Sequence, residues 1–349
     1  MKRRVLTISG KAALLTALGL AAYQQANAAD LVVAGFGAVF EDLIRQDVAP
    51  GFEKAQSSKI TYVAGNSTDN LAKIIAQKGN EQIDVVMLDD GPMRQAVALG
   101  LCRPLESSSV YNNVYPSLKV YGNNATMIGV AANGLMYNTK VFKQNNWAPP
   151  TSWSDLKDPK YKGKVVFPPL SNGFGLAGFL AINRLGGGTD SNVEPAFKVF
   201  KADYAPNVAA FSPTPADMNQ IFQAGEAVLA VNGSTRTAAL ADTGFPVAFV
   251  YPKEGAYAGG MAACAVAGGQ NKPAAMKFVE TLLSPESQTV IAKKFYAGPA
   301  NSKVVLPPDL QSKVPYGESQ ISSLQMPDWN VVNSKRAEWT QQFNRIIQK

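Results

Sequence analysis

The chain has 349 residues, two cysteines, no histidine and a formal charge of +7. Without an imidazole, a Ser-His-Asp triad, a Cys-His pair and histidine-ligated zinc are all excluded. No basic block is dense enough for a nucleic-acid footprint, and Lys2, Arg3, Arg4 and Lys11, unopposed by any acid, leave only +3 on the chain beyond residue 28.

Those first 28 residues read as an export signal. Lys2, Arg3 and Arg4 form a basic head, residues 12–22 are apolar apart from Thr16, and Ala26-Asn27-Ala28 supplies small residues for cleavage after about Ala28. Eleven residues at about 1.5 Å each fall well short of a ~30 Å hydrocarbon core, so the segment does not span a membrane. Arg3-Arg4 admits the twin-arginine route, but Lys2 stands where a hydroxyl is expected, so both that route and Sec stay open. No lipid-anchoring cysteine follows. The expectation is a soluble periplasmic protein whose 321 remaining residues make two domains.

Along the mature chain, short apolar runs suited to buried strands lie at residues 31–34, 60–63, 85–88, 165–167, 228–231 and 247–250. Helical patterns alternate with them. Residues 68–77 place Leu71, Ile74 and Ile75 on one face, and residues 215–224 carry Met218, Ile221 and Phe222. Residues 272–283 open with Pro273 and stop before Ser284-Pro285. Alternation of this kind predicts α/β architecture with mostly parallel sheets flanked by helices. No nucleotide loop, no G-x-S-x-G elbow and no CxxC is present, so no cofactor is expected. Carboxylate or lysine chemistry remains open in principle. Cys102 follows a helix and Cys264 sits in a small-apolar run; two buried thiols are the expectation, although an exported compartment permits a disulfide.

The stretch 150–168, PTSWSDLKDPKYKGKVVFP, reads as a short helix capped by Thr151 or Ser152, stopped at Asp158-Pro159, then a turn at Lys162-Gly163-Lys164 and a strand. Its wording resembles a passage of type II periplasmic solute-binding proteins, the receptors that deliver solutes to ABC importers. Residues 228–240, VLAVNGSTRTAAL, with VAFVYPKEG at 247–255, are similar to the W-N-G-S and V-x-W-P-K-E-G passages of spermidine/putrescine-binding proteins. Residues 272–288, KPAAMKFVETLLSPESQ, resemble the helix pair that follows in the same family. Matching stretches run from about residue 30 to about residue 305.

That resemblance implies a two-lobed type II periplasmic-binding-protein fold with the ligand cleft between lobes. Lobe 1 would comprise residues 29–136 plus 256–305, and lobe 2 residues 137–255 plus 306–349. The crossings would lie near 134–138 and 251–257, with the tail crossing once more. The last helix carries Trp339, Phe343, Ile346 and Ile347 at helical spacing, which reads as core. The implied partners are a small-molecule solute and an inner-membrane ABC permease, for a protein acting as a monomer without catalysis.

Ligands of open α/β sheets lie beyond the carboxyl ends of strands. Five turns fit: Phe36, Gly37 and Ala38; Asn66 and Ser67; Asp89 and Asp90; Ser171, Asn172 and Gly173; and Asn232, Ser234 and Arg236. Three of them open helices, where unpaired N–H groups favour an anion, although plain capping reads the same way. Asp89 and Asp90 would either receive one ammonium or cap the helix at 92–99. Arg236 opposes the dipole of its own helix, a misfit suited to gripping a carboxylate or phosphonate. Phe36, Phe40, Phe174 and Tyr257 would supply apolar walls.

The departures weigh against a polyamine. Val231 stands where the family has tryptophan, Gly259-Gly260-Met261 replaces W-x-D, and no acidic pair opens the helix at 171–173. A dication there would be desolvated without compensation. Paired tyrosines for ferric ion are also missing. The solute expected is therefore a carboxylate, ω-amino acid or aminophosphonate. A polyamine receptor with rearranged acids, an enzyme using cleft carboxylates, and a partner of a membrane sensor remain as alternatives.

Overall fold

A computed structural model describes residues 30–212 and 214–348; the export signal and its cleavage after Ala28 lie outside them. Nine strands form one curled mixed sheet: β1 Leu31–Gly35, β2 Ile60–Ala64, β3 Val85–Asp89, β4 Thr126–Asn138, β5 Val165–Val166, β6 Val208–Ala210, β7 Leu229–Gly233, β8 Val247–Val250 and β9 Tyr257–Ala265. Their order is β2-β1-β3-β9-β4-β7-β5-β6, with β8 also paired to β4. The flanks, β2-β1-β3 and β7-β5-β6, are parallel as the alternation predicts. The centre is antiparallel, because β9 and the 13-residue β4 run between the two halves.

The principal helices are α1 Ser67–Ala76, α2 Asp90–Ala98, α3 Gly173–Leu185, α4 Pro215–Gln223, α5 Ser234–Asp242, α6 Lys272–Leu282, α7 Pro285–Phe295 and α8 Trp329–Ile346. Each half-sheet is covered on both faces, so its strands are apolar on both. On β3, Val86 and Leu88 join a cluster with Met93 and Ala96, while Val85 and Met87 join one with Phe40, Phe52 and Phe278. In the other half, Val165 and Val231 pack with Phe167, Phe179 and Phe343, and Val166 and Ala230 pack with Met218 and Phe222. Four hydrophobic clusters, two on each half-sheet, make the α/β, two-lobed type II arrangement.

The quoted stretches meet in space. Ser152 forms a capping box with Asp155 and opens a 3-10 turn over Trp153–Lys157. Its hydroxyl donates to Glu254, and the indole N–H of buried Trp153 donates to the Gly255 carbonyl at 2.9 Å. Gly255 has φ +100, and a Cβ there would lie 2.8 Å from the Gln325 side chain. Only glycine suits both the left-handed backbone and that close approach.

Two differences from the sequence reading stand out. Cys102 and Cys264 form a disulfide, with Cα atoms 5.7 Å apart, which corrects the expectation of two thiols. The segment after α2 pairs with the end of β9 through a Cys102–Val266 bridge, so residues 162 apart in sequence become neighbours. The tail also divides. Leu306, Leu310 and Val314 pack on Ala292 and Val304, and Ile321 and Leu324 join the first half's core. At Gln325 the chain runs beside β9, bonded to Ala256 and Ala258, before α8 packs Val332, Trp339 and Phe343 into the second half.

Candidate ligand cleft

Where β3 ends, two adjacent carboxylates part company. Asp90 is buried, and its Oδ1 accepts from the Tyr121 hydroxyl at 2.6 Å and from Arg94 Nε at 2.9 Å. Burial, with the Asp90 charge behind it, pushes the Tyr121 phenol well above its ordinary value. Asp90 is thereby committed to a closed interior network. Asp89 instead faces solvent. Its N–H donates to Ser67 Oγ at 2.9 Å, and that hydroxyl donates back to Asp89 Oδ2 at 2.8 Å. The Asp89 carboxylate does not cap α2, so the capping alternative for this pair is not realised.

Helix α8 packs beside the start of α2 and touches both halves. Trp329 lies against Gly91, and Asn333 Nδ2 donates to the Gly91 carbonyl at 3.0 Å. One turn further on, Arg336 donates from Nε to the Leu170 carbonyl at 3.0 Å and from Nη2 to the Ser171 carbonyl at 2.8 Å. Those carbonyls are acceptors at the loop that opens α3, and they fix the guanidinium without neutralising it.

The Asp89 and Arg336 charges act on each other. Desolvation raises the Asp89 carboxyl above the usual carboxylate range, and Asp90 adds repulsion in the same direction. The Ser67 hydroxyl and the Arg336 charge pull it back. Desolvation likewise lowers Arg336, against the Asp89 charge that holds it up.

The other predicted positions divide. Ser171 and Gly173 are exposed at the α3 N-terminus, and a Cβ at Gly173 would meet open space. Asn172 caps α3 by accepting from Phe174 N–H at 2.8 Å. Exposed Asn66 caps α1 by accepting from Asp69 N–H at 2.9 Å. Phe36 and Gly37 are half-buried and Ala38 is exposed with φ 55; the Phe36 carbonyl accepts from Tyr62 Oη at 2.7 Å. Asn232 and Ser234 turn inward. Asn232 bonds Gly233 N–H and the Met136 sulfur, and Ser234 Oγ accepts from Ala132 N–H at 3.0 Å. Tyr257 is buried, with the Arg184 guanidinium 5.3 Å from its ring centre. Arg236 stands exposed on α5.

Asp89, with buried Ser67 bonded to it, and the Ser171 carbonyl thus lie beside Arg336, whereas Asp90, Asn232, Ser234 and Tyr257 serve the interior. Sequence reading missed Arg336, Trp329 and Asn333, because the last helix reads as core. A signal was available: Val332, Arg336, Trp339 and Phe343 share one stripe at 4-3-4 spacing, and a cation inside an apolar stripe needs a reason. Concavities of about 370 Å³ beside Tyr111 and about 420 Å³ beside Asp190 lie elsewhere. Their linings hold charges of both signs, Glu106 and Lys119 in the first and Arg184, Asp190 and Asp328 in the second, but neither Asp89 nor Arg336.

Among the described residues no helix is long and apolar enough to cross a membrane. Comparison with known proteins adds the family context. Residues 48–316 match the profile of bacterial extracellular solute-binding proteins. An uncharacterized protein of Haemophilus influenzae is 28% identical over 302 residues, 84% of each chain. The spermidine/putrescine-binding periplasmic protein of Escherichia coli is 31% identical over 216 residues, 60% of this chain and 57% of that protein. The solved structure of an ABC transporter from Clostridium perfringens superposes with a TM-score of 0.80 at 26% identity, over 91% of this chain and 100% of that one.

Proposed function

The chain belongs to the bacterial extracellular solute-binding proteins, and from that premise we propose that it is a periplasmic, monomeric receptor without catalytic activity. It captures a small zwitterion or carboxylate, such as an ω-amino acid or aminophosphonate, and delivers it to an ABC permease. The observation that carries this reading is that Asp89, exposed at the end of β3, and Arg336, anchored on the Leu170 and Ser171 carbonyls before α3, bring opposite charges from the two half-sheets close enough to act on each other. A solute with an ammonium for Asp89 and an oxyanion for Arg336 completes both sites. A solute that touches both walls only when they are close biases the closed state.

Lobe 1 on this reading comprises residues 29–136 and 256–324, and lobe 2 residues 137–255 and 325–349. Residues 1–28 are the export signal. The Escherichia coli relative keeps a polyamine in view as a second reading. Arg336 argues against it, because the guanidinium would meet the polyamine's second ammonium as a like charge.

Thermal-shift measurements against 4-aminobutyrate, 3-aminopropylphosphonate, glutarate, thiamine, putrescine and spermidine test the proposal. A ligand at about 100 times its Kd stabilises by about 2.7 kcal/mol. The expected result is a shift with an anion-bearing solute that Arg336→Gln removes. Shifts with polyamines alone would overturn the proposed class.

A further inference from the structure

We infer that Asn133 is a solute-contacting residue that, with the N-terminus of α3, reads the oxyanion end of the ligand; this rests on the receptor reading above. Asn133 lies on the central strand β4, between β9 and β7, paired with Tyr257 on one side and Gly233 on the other. It is 7% exposed. Its neighbours along the strand, Val130, Ala132 and Leu135, are buried and apolar. A carboxamide in that run has to be matched by a hydrogen-bonding partner.

No described residue supplies one: neither amide atom of Asn133 makes a hydrogen bond within the protein. Nor is the amide sealed, in contrast to the enclosed and unpartnered Tyr257 hydroxyl on the neighbouring strand. The residues flanking it leave space. Gly259, which replaces family bulk, would place a Cβ 3.5 Å from both Asn133 amide atoms, an ordinary contact. On the other side a Cβ at Gly233 would lie 2.7 Å from the Phe174 ring. Asn133 therefore sits on the face of the sheet that carries the first turn of α3, where Gly173 is exposed and open.

Two features on that one face point to the same ligand group. The helix N-terminus favours an anion, and the Asn133 amide can donate to it. The amide is open to one side, and a solute oxygen that accepts from it there gains a hydrogen bond within an otherwise apolar run. Discrimination arises in the same way: a solute without that oxygen leaves the amide unpaired.

The test uses 4-aminobutyrate, 3-aminopropylphosphonate and glutarate as probes, by calorimetric titration of the wild type, Asn133→Ala and Asn133→Asp, with melting curves of each empty protein. Asn133→Ala is expected to weaken the bound probe about tenfold, and Asn133→Asp, nearly isosteric but anionic, about a hundredfold or more. The empty alanine variant is expected to melt no lower than wild type, which a structural role for the amide would not allow. A wild type that binds a probe while both variants bind it equally well overturns the role of Asn133 alone. An alanine variant that melts lower and keeps full affinity does the same. A wild type that binds none of the three probes overturns the proposed solute class, and this inference with it.

Discussion

The interior behind the end of β3 and the cleft in front of it handle adjacent carboxylates in opposite ways. Behind, Asp90 is buried, and its Oδ1 accepts from Tyr121 and Arg94. In front, Asp89 holds one hydroxyl, faces solvent and lies within reach of the Arg336 charge. The two residues share a backbone turn and a charge, so the difference lies in what the fold places around each. A buried charge paired within the protein is costly to break, whereas an exposed charge without an ion-pair partner is available to a ligand.

Substitutions on either side should separate these roles. Asp90→Ala leaves the Tyr121 hydroxyl and Arg94 without their acceptor and is expected to destabilise by about 3 kcal/mol. Urea unfolding measures it, and solute affinity of the folded fraction should stay unchanged. Next in size, replacing Cys102 and Cys264 by serine removes the covalent tie behind β3 and should cost about 2–4 kcal/mol. An unchanged unfolding midpoint in this variant would contradict the pairing.

On the cleft side the effects should shift from stability to binding. Arg336→Gln, at a half-buried position where the amide can keep one of the two bonds to the Leu170 and Ser171 carbonyls, should cost about 2 kcal/mol. It should lose anion affinity by a larger factor, about a hundredfold, read by titration calorimetry. If unfolding free energy falls by much more while binding persists, Arg336 belongs with the interior.

Asp89→Asn should reverse the sign seen at Asp90. Desolvation raises the folded-state pKa of Asp89 above that of the unfolded chain, so the native protein holds this proton more tightly. The resulting stabilisation is complete below the unfolded value and is lost as pH rises through the folded one. At neutral pH the asparagine variant should therefore melt higher than the empty wild type and lack this part of its pH slope. Amine binding runs the other way, gaining strength in the wild type as Asp89 ionises. The smallest effect belongs to neither region: Asp242 on α5, held by Tyr296 and Lys313, is an exposed ion pair. Asp242→Asn should change stability by less than about 1 kcal/mol.

Much of the frame was legible from the residues. Strand positions, the caps at Asn66, Asn172 and Ser152, and the stop at Asp158-Pro159 follow from local chemistry that needs no distant partner, although β2 and β8 are mostly half-buried or exposed rather than buried. Ser67 and Asp89 were singled out because ligands of open α/β sheets lie beyond strand ends. Direction was not legible. Asn232 and Ser234 sit on a strand end as expected, yet their side chains serve Met136, Gly233 and Ala132, because β7 continues through Gly233. The disulfide depends on a bridge between segments 162 residues apart, which no local pattern encodes. Arg336 was hidden by a helix whose other stripe residues are core, and Asn133 by a strand whose length emerged only in the sheet.

The most direct measurement is a calorimetric titration of 3-aminopropylphosphonate and of spermidine into wild type, Asp89→Asn and Arg336→Gln. The account predicts that the aminophosphonate binds the wild type and that each variant weakens it, Arg336→Gln by about a hundredfold. Spermidine bound by the wild type and retained by Arg336→Gln, with no heat from the aminophosphonate, would contradict a cleft built for paired opposite charges.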